Sequence, residues 1–126
     1  MIWPGLSKSD EGNAAVEFAF ILPAVLGFLL GLYQGALLLW TQTALHYSVQ
    51  TAAHCASINT TTCGTTSQIQ SYAASASGAT FDTSVFTVTT PSCGKQVAAS
   101  YAMSLLYPFT SSSVTLTAQS CYPAAH

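Results

Sequence analysis

Few side chains in this 126-residue chain are able to do acid–base, nucleophilic or metal chemistry. They are Lys8, Asp10, Glu11, Glu17, Asp82 and Lys95, the histidines His46, His54 and His126, and the cysteines Cys55, Cys63, Cys93 and Cys121. There is no Arg. Catalysis requires acids, bases or nucleophiles held together, and outside the N-terminal third the charged candidates are only Asp82 and Lys95. Serines are so numerous that a Ser/His/Asp set written on paper means little. Gly5, Gly12, Gly64, Gly78 and Gly94 are isolated, so no phosphate-cradling loop is expected. Zinc sites favour tight pairs such as C-x₂₋₄-C. Here His54 and Cys55 are adjacent, which on a helix turns them about 100° apart. The expectation is no enzyme, no catalytic residue, no metal and no cofactor.

The cysteines suggest a different chemistry. Their count is even and all lie in the C-terminal two thirds, which reads as two disulfides in an oxidising compartment, with three possible pairings. Segments Ser84–Thr90 and Gln96–Met103 alternate as strands around Pro91-Ser92-Cys93-Gly94, and Val114–Cys121 follows as a third. In an antiparallel meander the end of the third strand returns to the start of the second. That favours Cys93–Cys121 and leaves Cys55 with Cys63. Residues 67–77 form a short helix on the spacing of Ile69, Tyr72, Ala73 and Ala76. Asn59-Thr60-Thr61 fits a glycosylation sequon, a match that so Thr-rich a loop yields by chance.

Composition decides what must carry these elements. Charged residues make up 5% of the chain against about 25% in ordinary soluble domains, and half of all residues are hydrophobic. Disorder is thereby excluded. A net charge of -2 without a basic cluster excludes a nucleic-acid partner, whose phosphates need Lys and Arg. From Phe18 to Trp40 the chain reads FAFILPAVLGFLLGLYQGALLLW. A bilayer core about 30 Å thick needs about 20 apolar helical residues, so this run predicts a membrane span of about residues 18–40. The rest of the chain is too short to wrap so long an apolar helix. A secretory signal has an apolar core of about 7–15 residues; this run is longer and lacks a convincing cleavage site after Trp40.

Within the span, Gly27, Gly31 and Gly35 repeat every fourth residue and share a helical face with Glu17, Ala24 and Gln34. Such a small-residue stripe lets another helix approach closely, so these six residues are the candidate helix-packing face. Pro23 bends the rod. After Trp40 the pattern becomes amphipathic: Leu45, Val49, Ala52, Ala53 and Ala56 on one side, His46, Gln50, Thr51 and His54 on the other. A helix over 14–57 therefore leaves the membrane with a stripe that only the C-terminal segment is available to cover. The expected fold class is α+β: a long N-terminal membrane helix and a small disulfide-stapled head with a three-stranded antiparallel sheet.

Glu17 is the remaining chemical feature. A carboxylate near hydrocarbon is costly and functional unless it reaches the headgroups. Gly12 lies five residues upstream, and Gly12-Asn13-Ala14-Ala15-Val16-Glu17-Phe18 resembles the processing site of Flp-type prepilins. Ala44-Leu45-His46-Tyr47-Ser48-Val49-Gln50-Thr51-Ala52-Ala53-His54-Cys55-Ala56 is similar to the segment after the membrane helix in TadE-like proteins. Residues 100–118 resemble that family's last strands more loosely. Gln50 and His54 stand where the family often has Arg, Phe18 where such sites usually have Tyr, and Asp10 and Glu11 directly precede the cut.

The resemblance implies a minor pilin or pseudopilin of a tight-adherence (Tad/Flp) system. Residues 1–12 would be a prepilin leader, 13–57 the long helix and 58–126 an extracytoplasmic head. A prepilin peptidase would recognise Gly12, Asn13, Glu17 and Phe18 and cut after Gly12. The new ammonium of Asn13 would then neutralise Glu17 on an adjacent copy. The implied partners are the inner membrane, other pilins and minor pilins, the peptidase and the Tad assembly platform. The alternative is an unprocessed single-pass protein with a binding or adhesion head.

Overall fold

A computed structural model describes the backbone of residues 4–107 and 110–124 and the side chains of residues 12–105 and 112–124. The first three residues of the expected leader, together with Pro108, Phe109 and His126, lie outside the described residues. Helix α1 runs from Pro4 to Ile58 and passes through Pro23. At 1.5 Å per residue it is about 80 Å long. It begins well before the expected start, so the segment preceding Asn13 continues the same rod. Three hydroxyl side chains in its second half bond to the helix itself: Thr41, Thr43 and Thr51 donate to the carbonyls four residues back at 2.7–2.9 Å.

Asn59 ends the helix. Its Oδ1 accepts from the backbone of Thr61 and Thr62 at 3.1 and 3.0 Å, turning the chain back. The turn brings Cys63 to Cys55, and the two form a disulfide with Cα atoms 5.8 Å apart. Gly64 fits there because a Cβ would collide with the carbonyl oxygen of Thr60. Helix α2, Thr66–Ala76, starts from a capping box. Thr65 Oγ1 accepts from Gln68 N at 3.3 Å, and Gln68 Oε1 accepts from Thr65 N at 3.1 Å. Its Ile69 and Ala73 are buried.

Asp82 caps a 3₁₀ turn, Thr83–Val85, by accepting from Ser84 N at 3.3 Å. Three antiparallel strands follow in the order β1 (Phe86–Thr89), β2 (Lys95–Tyr107) and β3 (Thr110–Tyr122). The expected meander is present, and Gln96 opposite Cys121 brings the second sulfur pair together; Cys93 and Cys121 are bridged with Cα atoms 6.3 Å apart. Gly94 has φ +127°, and a Cβ there would meet the carbonyl of Tyr122, so the turn into β2 requires glycine.

All three strands differ in extent from the sequence expectation. β1 is shorter because Asp82 draws its first residues into the 3₁₀ turn. β2 and β3 each extend past Met103 and Val114 to the pair Tyr107 and Thr110. A Ser-rich run such as Ser111-Ser112-Ser113 shows no apolar alternation; its pairing comes from the facing strand.

The core forms where the stripe of α1 meets the sheet. Leu45, Val49, Ala52, Ala53 and Ala56 are all buried, while His46, Gln50 and His54 are exposed, as the amphipathic pattern requires. Against them pack Phe86, Val97, Ala99, Leu116 and Ala118 from the strands. The many alanines let helix and sheet approach closely. Phe81 stands edge-on to Phe86 and Tyr101, with ring centroids 6.1 and 5.2 Å apart. Gln70 Nε2 donates to Phe86 O at 2.8 Å, fixing α2 on β1, and Gln42 Nε2 donates to Thr117 O at 3.0 Å, fixing β3 on α1.

One polar atom in this core, Ser48 Oγ, is buried without a hydrogen-bond partner. Removing it relieves desolvation of about 1 kcal/mol, whereas Leu45→Ala leaves a cavity costing about 2–5 kcal/mol. Denaturant unfolding of the detergent-solubilised, oxidised protein is expected to show Ser48→Ala as stable as the parent or more so. Leu45→Ala is expected to unfold at markedly lower denaturant.

Candidate functional site: the uncovered half of the long helix

Every described side chain from Gly12 to Leu26 is exposed, and the most apolar stretch of α1 has none of its residues buried within the molecule. Val16, Phe18, Phe20, Ile21, Val25, Leu26, Phe28 and Leu29 are each more than two-fifths exposed. In water such a rod would present apolar surface on all sides, which soluble proteins avoid. A soluble core helix of this length would be buried instead. The candidate span is thus uncovered by its own chain, and hydrocarbon or other helices are the surroundings that suit it.

Gly12, Asn13, Glu17 and Phe18 lie on this uncovered part, in one unbroken helix. Asn13 and Glu17 are four residues apart and share a face. Further along that side, Ala24 is exposed, and a Cβ built on Gly27 would meet nothing within 4 Å. The stripe changes character beyond this point. Gly31, Gln34, Gly35 and Leu38 line a groove whose other wall is Leu105 and Ser112 of the β2–β3 hairpin. Beside it Leu30, Tyr33 and Leu37 face Met103 and Leu105. The outer part of the candidate packing face therefore looks toward the chain's own hairpin, and only the part from Glu17 to Gly27 is wholly free of it. Gly35 keeps open space: a Cβ there also meets nothing within 4 Å.

Sequence reasoning did not place Leu105 and Ser112 beside the helix. The available signal was Leu105-Leu106-Tyr107-Pro108-Phe109, an apolar run continuing past the expected end of the second strand at Met103.

The remaining chemical candidates have structural positions. All four cysteines are bridged in the expected pairs. The Asp82 carboxylate caps a turn. His54 rests edge-on against Tyr122 with centroids 5.4 Å apart, and His46 borders a shallow groove with Ala98, Ala99, Thr117, Ala118 and Gln119. Among the described residues, no three of His, Cys, Asp and Glu gather as a metal-binding group.

Comparison with known proteins adds one finding. Residues 12–54 match the family model TadE, described as TadE-like protein, which agrees with the resemblance of the sequence. The matched segment opens at Gly12, contains the whole uncovered rod and ends within the buried stripe of α1. No curated protein and no solved structure matches the chain.

Because added methyl groups at Gly27 and Gly35 touch nothing in the chain, Gly27→Ala and Gly35→Ala are expected to leave folding intact. Helix propensity favours them by up to about 1 kcal/mol. Chemical crosslinking in native membranes is expected to show fewer neighbours for Gly27→Ala if that face receives another helix. Unaltered crosslinking would remove Gly27 from the packing face.

Proposed function

We propose that this chain, TadE-like over residues 12–54, is a minor pilin or pseudopilin that takes part in assembling a Tad/Flp-type pilus. Before assembly it waits in the inner membrane, held by α1, with its disulfide-stapled head outside the cytoplasm. The observation that carries this reading is the uncovered rod: a long apolar stretch of α1 with none of its described residues buried, in which the carboxylate of Glu17 lies five residues after Gly12. A protein meant to remain a monomeric anchor has no use for a small-residue stripe beside a lone acid, whereas a subunit that packs helix to helix uses both.

The steps follow from charge and solvation. Cleavage after Gly12 frees the α-ammonium of Asn13, a cation where the precursor has a neutral peptide. A Glu17 carboxylate in a low-dielectric bundle is unfavourable alone and becomes acceptable beside that ammonium on an adjacent copy. The pair would fix the axial register between subunits, while the glycine stripe sets how closely the rods approach. Disulfides support an extracytoplasmic head, since such bonds persist in oxidising compartments. We assign no catalytic role: the carboxylate and sulfurs of the head are used in a cap and two bridges. Energy for assembly must then come from other proteins.

The alternative reading, an unprocessed anchor with a binding head, draws on the continuity of α1 from Pro4 through Gly12. Sequencing the N-terminus of the protein from native membranes separates the two. A mature start at Asn13 is expected; an intact Met1 in cells with active peptidase favours the anchor. Glu17→Ala is expected to abolish incorporation into fibres while the protein stays membrane-bound. Normal piliation in that variant would remove the carboxylate from the mechanism.

A further inference from the structure

Each side of the sheet meets a glutamine. At β1, Phe86 N donates to Thr83 O and Phe86 O accepts from Gln70 Nε2, so both backbone groups of Phe86 point away from β2. Phe86 stands opposite Ala99, whose own groups must then turn the other way, to Ala118 of β3. Successive residues of a strand turn their groups to alternate sides. Leu116 and Ala118 therefore bond to β2, while Ser113, Thr115, Thr117, Gln119 and Cys121 turn N–H and C=O to the free side of β3. The bond from Gln42 Nε2 to Thr117 O, at 3.0 Å, agrees with this assignment.

A free edge of this length is a template for another strand. The usual protections are absent from β3 itself. Thr110–Tyr122 contains no charged residue and no proline, and its pairing with β2 is continuous from Tyr122 to Ser112. Protection comes instead from α1. Thr117 is the middle one of the outward residues, and Gln42 reaches into the lane where the backbone of an added strand would lie, about 4.8 Å from β3. One turn along α1, His46 borders a groove beside Thr117, Ala118 and Gln119. These two side chains leave only Ser113 and Thr115 clear on one side and Cys121 on the other, runs shorter than an ordinary strand.

We propose that Gln42 closes the edge of β3 to strand addition, and that the strand it excludes is β3 of a second copy. A copy of β3 fits this edge because its outward groups recur at every second residue, as they do on the edge itself. Thr115, Thr117 and Gln119 are uncharged, so two such edges do not repel each other. The guard belongs to the helix and not to the strand, so the edge is shut only while the sheet lies on α1. Heads closed in this way leave neighbouring chains to meet through their rods. The closure holds whether or not the chain enters a fibre.

Amide hydrogen exchange tests this, followed residue by residue by NMR on the oxidised full-length chain in detergent micelles that carry one chain or several. In the parent, the amides of Thr115, Thr117 and Gln119 are expected to exchange fast at both loadings, and those of Leu116 and Ala118 slowly. In Gln42→Ala the outward amides are expected to slow about tenfold or more when micelles carry several chains. Leu116 and Ala118 are expected to stay as in the parent. Gln42→Lys keeps a donor and adds a charge, and is expected to behave as the parent does. So is Gln50→Ala, an exposed change further along α1. Outward amides that stay fast in Gln42→Ala at high loading overturn the proposal, as does slowing in the parent or equal slowing in Gln50→Ala. Faster exchange at Leu116 and Ala118 in Gln42→Ala also overturns it, because Gln42 would then hold β3 in the sheet instead of closing its edge.

Discussion

One helix in this protein must satisfy two solvents in succession, and the remaining structure follows from that constraint. From Phe18 onward its first part is apolar all round, and from Gly12 to Leu26 it is left bare by its own chain. Its second half is apolar on one side only and needs a protein surface to cover that side. A helix cannot change its surroundings along its length unless its sequence changes with it. Here the change begins near Trp40 and Thr41, where hydroxyl and amide side chains enter and the buried stripe starts. The head exists to cover the second half: α2 and the sheet are small, rich in alanine and serine, and bury their apolar residues mainly against α1.

So slight a head has little interior of its own, and the two disulfides compensate by fixing its corners. Cys55–Cys63 holds the turn out of α1, from which α2 begins. Cys93–Cys121 ties the entry of β2 to the end of β3. Between these staples, side-chain amides link elements to backbone: Gln42 to β3 and Gln70 to β1. None of these groups is charged, in keeping with a chain that is almost without charge outside its N-terminal segment. Glu17 stands apart for that reason, as the one described carboxylate on the uncovered rod.

A fibre subunit and a membrane protein place similar demands on such a rod. Both environments are apolar, and both tolerate glycine where helices pack. The hairpin lying beside residues 30–38 divides the rod into a bare inner part and a flanked outer part. Any neighbouring helix meets bare surface on all sides only over the inner part, the part that carries Glu17, Ala24 and Gly27.

By itself the sequence determined the rod, the change of face after Trp40, the three strands and their order, because these depend on local periodicity and on the count of apolar residues. Of three possible pairings it favoured the two disulfides that the structure contains, since a meander brings the end of the third strand back to the start of the second. Tertiary structure decided how far the hairpin extends and what it lies against. The pairing of Leu105 with Ser112 and of Tyr107 with Thr110 has no signature in periodicity; strand hydrogen bonds are made by backbone, which every sequence carries alike. For the same reason the division of the glycine stripe, with Gly31 and Gly35 toward the hairpin and Gly27 clear of it, was decided only when a strand distant in the chain came to rest along the helix.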